Sequence, residues 1–243
     1  MVFSDTSTNT GLVQQIRKMM RVDSTQWPTA NIVASVNNWL DMITGYAIGA
    51  DKRFQWDDTN HTKLPIGTTN MTSGTSDYSF LTDEQGNTII TLTRIDMLLN
   101  TTTDTWTTLS PIDQNDALFQ GTGLQQAFPT NTTPEFYDKI ADNIIRLYAT
   151  PNYSKTAGLK FYFQRTPSYF VAADTTKAPG VPSLLHRGFV IAGAYDGALT
   201  LGLPNLQPLS VELQKEQQKM EQYFADRNQD FDCVLTNEPI DYL

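Results

Sequence analysis

In two successive segments near the start of the chain, apolar residues recur at intervals of three and four positions, the spacing of one helix face. A Pro28-Thr29 pair gives the second segment a helix-start signal. The apolar positions are Leu12, Val13, Ile16, Met19 and Met20, and then Ile32, Val33, Val36, Trp39, Leu40, Ile43 and Ala47. The pattern predicts two antiparallel helices within residues 1–50.

From residue 51 to residue 170 the pattern changes to short alternating segments between turns rich in Thr, Asn, Asp and Gly. Residues 90–99, 106–109 and 159–163 are predicted strands, within a β-rich module of four to six strands. Residues 136–148 fit either two strands around Ala141-Asp142-Asn143 or one helix. We favour the helix, because residues 133–135 give a start signal and Phe136, Ile140, Ile144 and Leu147 keep helical spacing.

Helical spacing returns near residue 184 and is closed by Gly202 and Pro204. Three glycines interrupt this segment, at Gly188, Gly193 and Gly197, and each costs about 1 kcal/mol of helix propensity. We therefore expect another helix or backbone to pack very close to them. A last helix is predicted over 209–227, where glutamate and lysine residues three positions apart would support it.

These segments predict an α+β fold in which N- and C-terminal helix pairs form one bundle around an inserted β-rich module. The predicted domains are an N-terminal helix pair (1–50), a β-rich module (51–170), a C-terminal helix pair that completes the bundle (171–227) and an extended acidic tail (228–243). In the tail, apolar residues alternate with acids, which is typical of a segment laid across a partner. A disordered, solvated tail is the alternative.

The charge of the chain limits the partners that it can have. The 243 residues carry a net charge of −9, and the sequence pI is about 4.6. Broad binding to a phosphate backbone needs clustered Lys and Arg, so an acidic chain could at most line a channel through which DNA slides. No leader pattern is visible, and the longest apolar run is too short to span a bilayer, so we expect a soluble protein without a membrane partner.

Charge is also distributed unevenly along the chain. Residues 155–187 hold five bases and one acid, for a net charge of +4, whereas residues 228–243 hold four acids and no base. Such asymmetry suits subunits that meet head to tail in a ring. Chance clustering on a solvated surface would give the same pattern.

The residues needed for catalysis or metal binding do not form any recognisable motif. The chain lacks a phosphate-binding glycine loop, a nucleophile elbow and paired metal-binding cysteines. His61 and His186 are interpreted as structural, and Cys233 lies among acids that would raise rather than lower the pKa of its thiol. We predict a non-enzymatic protein without cofactor or metal, although a carboxylate-only enzyme would escape this reasoning.

Three groups of stretches resemble the head-to-tail adaptor, or neck, proteins of tailed bacteriophages. They are 54–60 (FQWDDTN) with 64–70 (LPIGTTN) and 77–80 (DYSF); 137–140 (YDKI) with 143–151 (NIIRLYATP); and 161–170 (FYFQRTPSYF) with 174–180 (DTTKAPG) and 185–187 (LHR). The similarity covers nearly the whole chain, and the order and spacing of the stretches make it specific.

This resemblance implies a virion structural protein of the neck, assembled in the host cytoplasm, that forms a ring of 12 copies between the portal and the tail. Its partners would be further copies, the portal protein and tail or other neck proteins, with DNA passing through a central channel without sequence-specific binding. The portal-docking residues would be Phe231, Val234, Leu235, Ile240, Tyr242 and Leu243. Candidate subunit-interface residues are Trp56, Tyr78, Tyr162, Tyr169, Arg165, Lys177 and Arg187. The four aromatic residues among them would suit a hydrophobic core equally well.

Two other functions remain open on the sequence. A different neck or tail-side ring component, such as a tail-completion protein, would show the same features. The aromatic-rich β region would also suit a carbohydrate-binding or carbohydrate-active module.

Overall fold

A computed structural model describes residues 1–50, 66–83, 86–99, 105–112 and 133–226. The chain divides into a helical unit, Met1–Phe54 with Ser168–Leu243, and a β unit, Gln55–Pro167. The predicted α+β class is confirmed, because N- and C-terminal helices flank a β-rich segment in the chain.

The helices are α1 (Leu12–Met20), α2 (Thr29–Ala50), α3 (His186–Leu201) and α4 (Leu206–Asp226). All four lie where the apolar spacing predicts a helix, and most residues of the predicted stripes in α1 and α2 are buried. In α2, for example, Ile32, Val36 and Ile43 are fully buried. Helix α3 ends at Gly202, whose φ of 63° is left-handed, and the glycine N–H bonds the carbonyls of Ala198 and Leu199.

Helix α3 packs against each of the other three helices. A Cβ atom added at Gly188 would lie 2.9 Å from the ring of Trp39. At Gly193 it would meet the Ile16 side chain at 2.6 Å. The predicted close approach at these glycines is confirmed, since side chains of α1 and α2 occupy the space that larger residues would need.

The described part of the β unit contains eight strands, more than the four to six expected. They are β1 (Ile66–Met71), β2 (Asp77–Ser79), β3 (Ile89–Leu99), β4 (Thr105–Thr108), β5 (Ser110–Pro111), β6 (Phe136–Ala141), β7 (Ile144–Tyr148) and β8 (Lys155–Arg165). They form two four-stranded sheets, in the orders β1-β8-β3-β4 and β2-β7-β6-β5. Neighbouring strands are antiparallel except for β5 and β6, which are parallel.

Both sheets contribute to one hydrophobic core. Alternate residues of β3 and β8 are buried there, as the period of two requires. The core residues include Ile95 and Met97 of β3, Leu159, Phe161 and Phe163 of β8, Tyr78 of β2, and Ile145 and Leu147 of β7. The predicted strands at 90–99 and 106–109 are confirmed within one residue of β3 and β4, and the predicted strand at 159–163 is the central part of the longer β8.

The helix preferred for residues 136–148 is wrong. This stretch is the hairpin of β6 and β7, in which Lys139 pairs with Ile145 and a register irregularity precedes the turn. Strand β7 also pairs with β2, where Tyr78 lies opposite Ile145. Pairing on both edges, with β-branched Ile144 and Ile145 in the middle strand, outweighs the local helical spacing.

Candidate functional site

The chain immediately after β8 is fixed to the helical unit by Phe170. Its ring stacks on Phe3 with 4.9 Å between centroids. The Asn37 amide donates to the Phe170 carbonyl at 3.0 Å and accepts the Phe170 N–H at 2.9 Å. This reciprocal pair holds the backbone on both sides of Phe170 and so positions the neighbouring Tyr169.

Tyr169 and Lys177, two of the candidate interface residues, lie together on this segment. The Tyr169 side chain is exposed, and its hydroxyl donates to Asp41 Oδ1 at 2.6 Å. Partial burial, followed by this carboxylate, raises the pKa of Tyr169 to about 12. Lys177 Nζ donates to the Tyr169 carbonyl at 2.7 Å. The pair therefore presents an ordered phenol and a cation at the surface.

Arg187, at the start of α3, belongs to a charged network with α4. Its side chain is 63% exposed, and its guanidinium lies 3.2 Å from Glu212 and 3.7 Å from Glu216. Lys215 and Lys219 bond the same two carboxylates, as their spacing predicts. Lys215, with a smaller contribution from Arg187, holds the pKa of Glu212 below its ordinary value. Arg187 is accessible to a neighbouring subunit and is already paired within its own chain.

Tyr78 and Arg165 have their side chains inside the β unit. Tyr78 is part of the hydrophobic core, and its hydroxyl donates to the Thr75 carbonyl at 3.0 Å. Arg165 Nε lies 3.2 Å from Asp83 Oδ2, and their side chains are only 5% and 9% exposed. Both residues stabilise the β unit and offer little surface to a neighbour.

Tyr162 lies half-buried on a surface that we name the cation–aromatic face, consisting of Arg94, Asp96, Trp106, Lys160 and Tyr162. The Arg94 guanidinium lies 4.1 Å from the Tyr162 ring centroid, and Lys160 Nζ lies 3.8 Å from that of Trp106. In the strand register Arg94 is opposite Tyr162 and Asp96 is opposite Lys160, so these residues share one side of the sheet.

Of the residues in this face, Tyr162 alone is among the interface candidates predicted from the sequence. The sequence nevertheless indicates the face, because Lys160 and Tyr162 alternate with the apolar residues of the predicted strand at 159–163. Arg94 alternates in the same way beside Ile95 in β3. The local sequence does not specify the strand register, and this register places the two cations over aromatic rings of neighbouring strands.

Trp56 and the portal-docking candidates Phe231, Val234, Leu235, Ile240, Tyr242 and Leu243 lie outside the described residues. The same holds for His61 and Cys233. His186 is described and buried, with Nε2 at 2.9 Å from the Val181 carbonyl. Among the residues that the structure describes, no group of three or more His, Cys, Asp or Glu side chains could hold a metal ion. No helix within those ranges has the length and apolar character to cross a membrane.

The described residues form two folded units, and the candidate side chains in them take part in packing, ion pairs and exposed aromatic and cationic surfaces, as in a structural protein. The family model described as SU10 adaptor protein matches residues 8–237, and the chain belongs to this family. No curated protein matches the chain. The family confirms the adaptor resemblance seen in the sequence and identifies a phage adaptor protein with a structural role in the virion.

Proposed function

We propose that copies of this chain form a ring of 12 subunits in the neck of the virion, between the portal and the tail, with DNA passing through the central channel. The observation that carries this proposal is the adaptor family match, which extends over residues 8–237 and so includes both units. The protein would act by contact with its neighbours, without a catalytic step or a cofactor.

A closed ring of identical subunits needs two different surfaces that meet head to tail. In the helical unit, Tyr169, Lys177 and Arg187 are candidates for one of them, because their polar groups are ordered by contacts within the chain. Among the described candidates of the β unit, Tyr162 is the one with accessible surface. Ordered aromatic and cationic side chains suit an interface, since less side-chain freedom is lost on association.

Imaging of the neck in the assembled particle would test the ring. A twelve-fold ring in contact with the portal is the expected result. A six-fold ring that touches only tail proteins would overturn it in favour of a tail-side component. Turnover of a host-surface glycan by the purified protein would contradict a role based on contact alone.

We further propose that residues 228–243 dock on the portal in an extended conformation. The apolar candidates there, Phe231, Val234, Leu235, Ile240, Tyr242 and Leu243, alternate with four acids, as suits a strand-like segment with one buried side. Deleting 228–243 should leave a folded subunit that no longer joins DNA-filled heads. A variant with the same 16 residues in scrambled order is the matched control for charge and length. Normal tail attachment by the deletion variant would contradict the docking role.

The channel is expected to hold DNA only weakly. The chain has a net charge of −9, and few cations are available to neutralise phosphates. Binding of a DNA duplex at physiological salt should therefore show a dissociation constant no tighter than about 1 μM, the range of non-specific binding. Submicromolar binding in a filter or fluorescence assay would be inconsistent with a channel through which DNA slides.

A further inference from the structure

The cation–aromatic face is the side of the β1-β8-β3-β4 sheet opposite its core. In β3, Arg94 and Asp96 alternate with the buried residues Ile95 and Met97. In β8, Lys160 and Tyr162 alternate with Leu159 and Phe161. Because successive side chains of a strand point to opposite sides, the face is presented away from the hydrophobic core.

This face carries an outward positive charge. Asp96 is only 5% exposed, and its two oxygens are engaged. Oδ2 lies 2.6 Å from Arg94 Nη2, and Oδ1 accepts a hydrogen bond from the Thr108 hydroxyl at 2.8 Å. The Arg94 side chain remains 50% exposed. One buried carboxylate thus orients Arg94 and partly offsets its charge, while Lys160 Nζ lies over the Trp106 ring.

The residue types of the face are those that carry most of the affinity in protein interfaces. Trp, Tyr and Arg are enriched among the side chains whose truncation costs the most binding energy. Here Arg94 and Lys160 are already placed over rings, at 4.1 and 3.8 Å. Binding would therefore immobilise little additional side-chain freedom.

We infer that the cation–aromatic face binds an acidic surface of a second copy of this chain. The inference rests on the proposed ring and names one of its two contacting surfaces. Charge complementarity supports it, because a chain of net charge −9 offers acidic surface to a cationic face. Contact of two such faces with each other would place cations against cations. The face therefore favours the head-to-tail contact that closes a ring over a symmetric dimer.

The test compares full-length Trp106→Ala and Lys160→Gln with the wild type, using sedimentation velocity to measure ring assembly. Each variant should weaken the association by at least about tenfold, as expected for a central interface residue. Lys139→Gln is the matched control: this exposed lysine lies on β6 of the other sheet, and its loss should leave the ring unchanged. Lys160→Gln removes one partly exposed charge, so it tests the face even if Trp106→Ala lowers stability.

The possible outcomes distinguish failure of the inferred interface from failure of the proposed ring. If both variants form rings as readily as the wild type, the inference that this face binds a second copy is overturned, and the proposed function is unaffected. Wild-type protein that forms no ring, alone or with portal, would instead refute the proposed function and with it this inference. A variant that keeps its ring but loses its residual binding to a short DNA duplex would also overturn the inference, since the face would then line the channel.

Discussion

The helical unit and the β unit differ in the burial of their charged side chains and in the positions where packing leaves no room for a larger residue. In the helical unit, a Cβ atom added at Gly188, Gly193 or Gly197 of α3 would lie less than 3.0 Å from a side chain, whereas the Arg187 network stays at the surface. In the β unit an ion pair between Arg165 and Asp83 is buried. Loss of a charge should therefore be damaging at Arg165 of the β unit, and added volume should be damaging at the α3 glycines of the helical unit.

The largest expected effect is that of Arg165→Ala. It removes the guanidinium that lies 3.2 Å from the Asp83 carboxylate, and breaking such a buried pair typically costs about 3–5 kcal/mol of unfolding free energy. Chemical denaturation of purified variants measures this directly. If the unfolding free energy instead falls by less than about 1 kcal/mol, as for a surface pair, the buried pair does not stabilise the β unit.

A double variant, Arg165→Met with Asp83→Asn, sharpens the result. Removing both charges avoids an uncompensated buried carboxylate, so at least about half of the lost free energy should return. The asparagine also keeps an oxygen that can accept the Asn87 N–H, which Asp83 bonds at 2.7 Å. A double variant that is no more stable than Arg165→Ala would show that other contacts of Arg165 carry its effect.

The next largest effect is expected in the helical unit, from Gly188→Ala. The new methyl group would lie 2.9 Å from the Trp39 ring, which is buried, so overpacking should cost about 1–3 kcal/mol. Gly45→Ala in α2 is the control, because nothing lies within 4 Å of its added Cβ. That variant should gain up to about 1 kcal/mol from helix propensity. If the Gly188→Ala variant and the wild type unfold at equal thermal midpoints, close packing at Gly188 is contradicted.

The two units also differ in how far the sequence predicts them. Each helix follows from apolar spacing and local signals such as Gly202, because a helix is stabilised by contacts between residues three and four positions apart. Even the close approach at Gly188 could be predicted, since a glycine inside a helix has a cost that packing must offset.

In the β unit, partner strands come from distant parts of the chain, and local spacing does not specify them. Residues 136–148 show the consequence, because pairing with β2 decides between two locally acceptable structures. For the same reason the burial of Tyr78 and Arg165, and the placement of Arg94 on Tyr162, required the register of the sheets. Aromatic residues in a predicted strand indicate contact without indicating which side of the sheet they occupy.

A smaller effect is expected from pH, through Asp77 of the β unit. Arg146 Nε and Nη2 bond its two oxygens at 2.7 and 2.8 Å, and these bonds hold the pKa of Asp77 below its ordinary value of 3.8. The contact stabilises the fold fully above pH 3.8 and loses its effect as the pH falls through the lower folded pKa. Because Asp77 is substantially exposed, solvent screening limits the contribution to less than about 1 kcal/mol. Between pH 5 and pH 2, the Asp77→Asn variant should lose less unfolding free energy than the wild type, by that amount. Chemical denaturation across that pH range would measure the difference. An unchanged slope would contradict the depressed pKa.

The smallest effect on folding is expected from Arg187→Gln in the helical unit. Its guanidinium is exposed, and Lys215 and Lys219 remain to pair with Glu212 and Glu216. Exposed pairs of this kind contribute little to stability, so the thermal midpoint should match that of the wild type within error. The same variant should weaken ring assembly if Arg187 contacts a neighbouring subunit, and sedimentation velocity would measure that. A lowered midpoint would show that the network is part of the fold. An unchanged midpoint with unchanged assembly would remove Arg187 from the interface and leave Lys177 and the cation–aromatic face as the described cationic candidates.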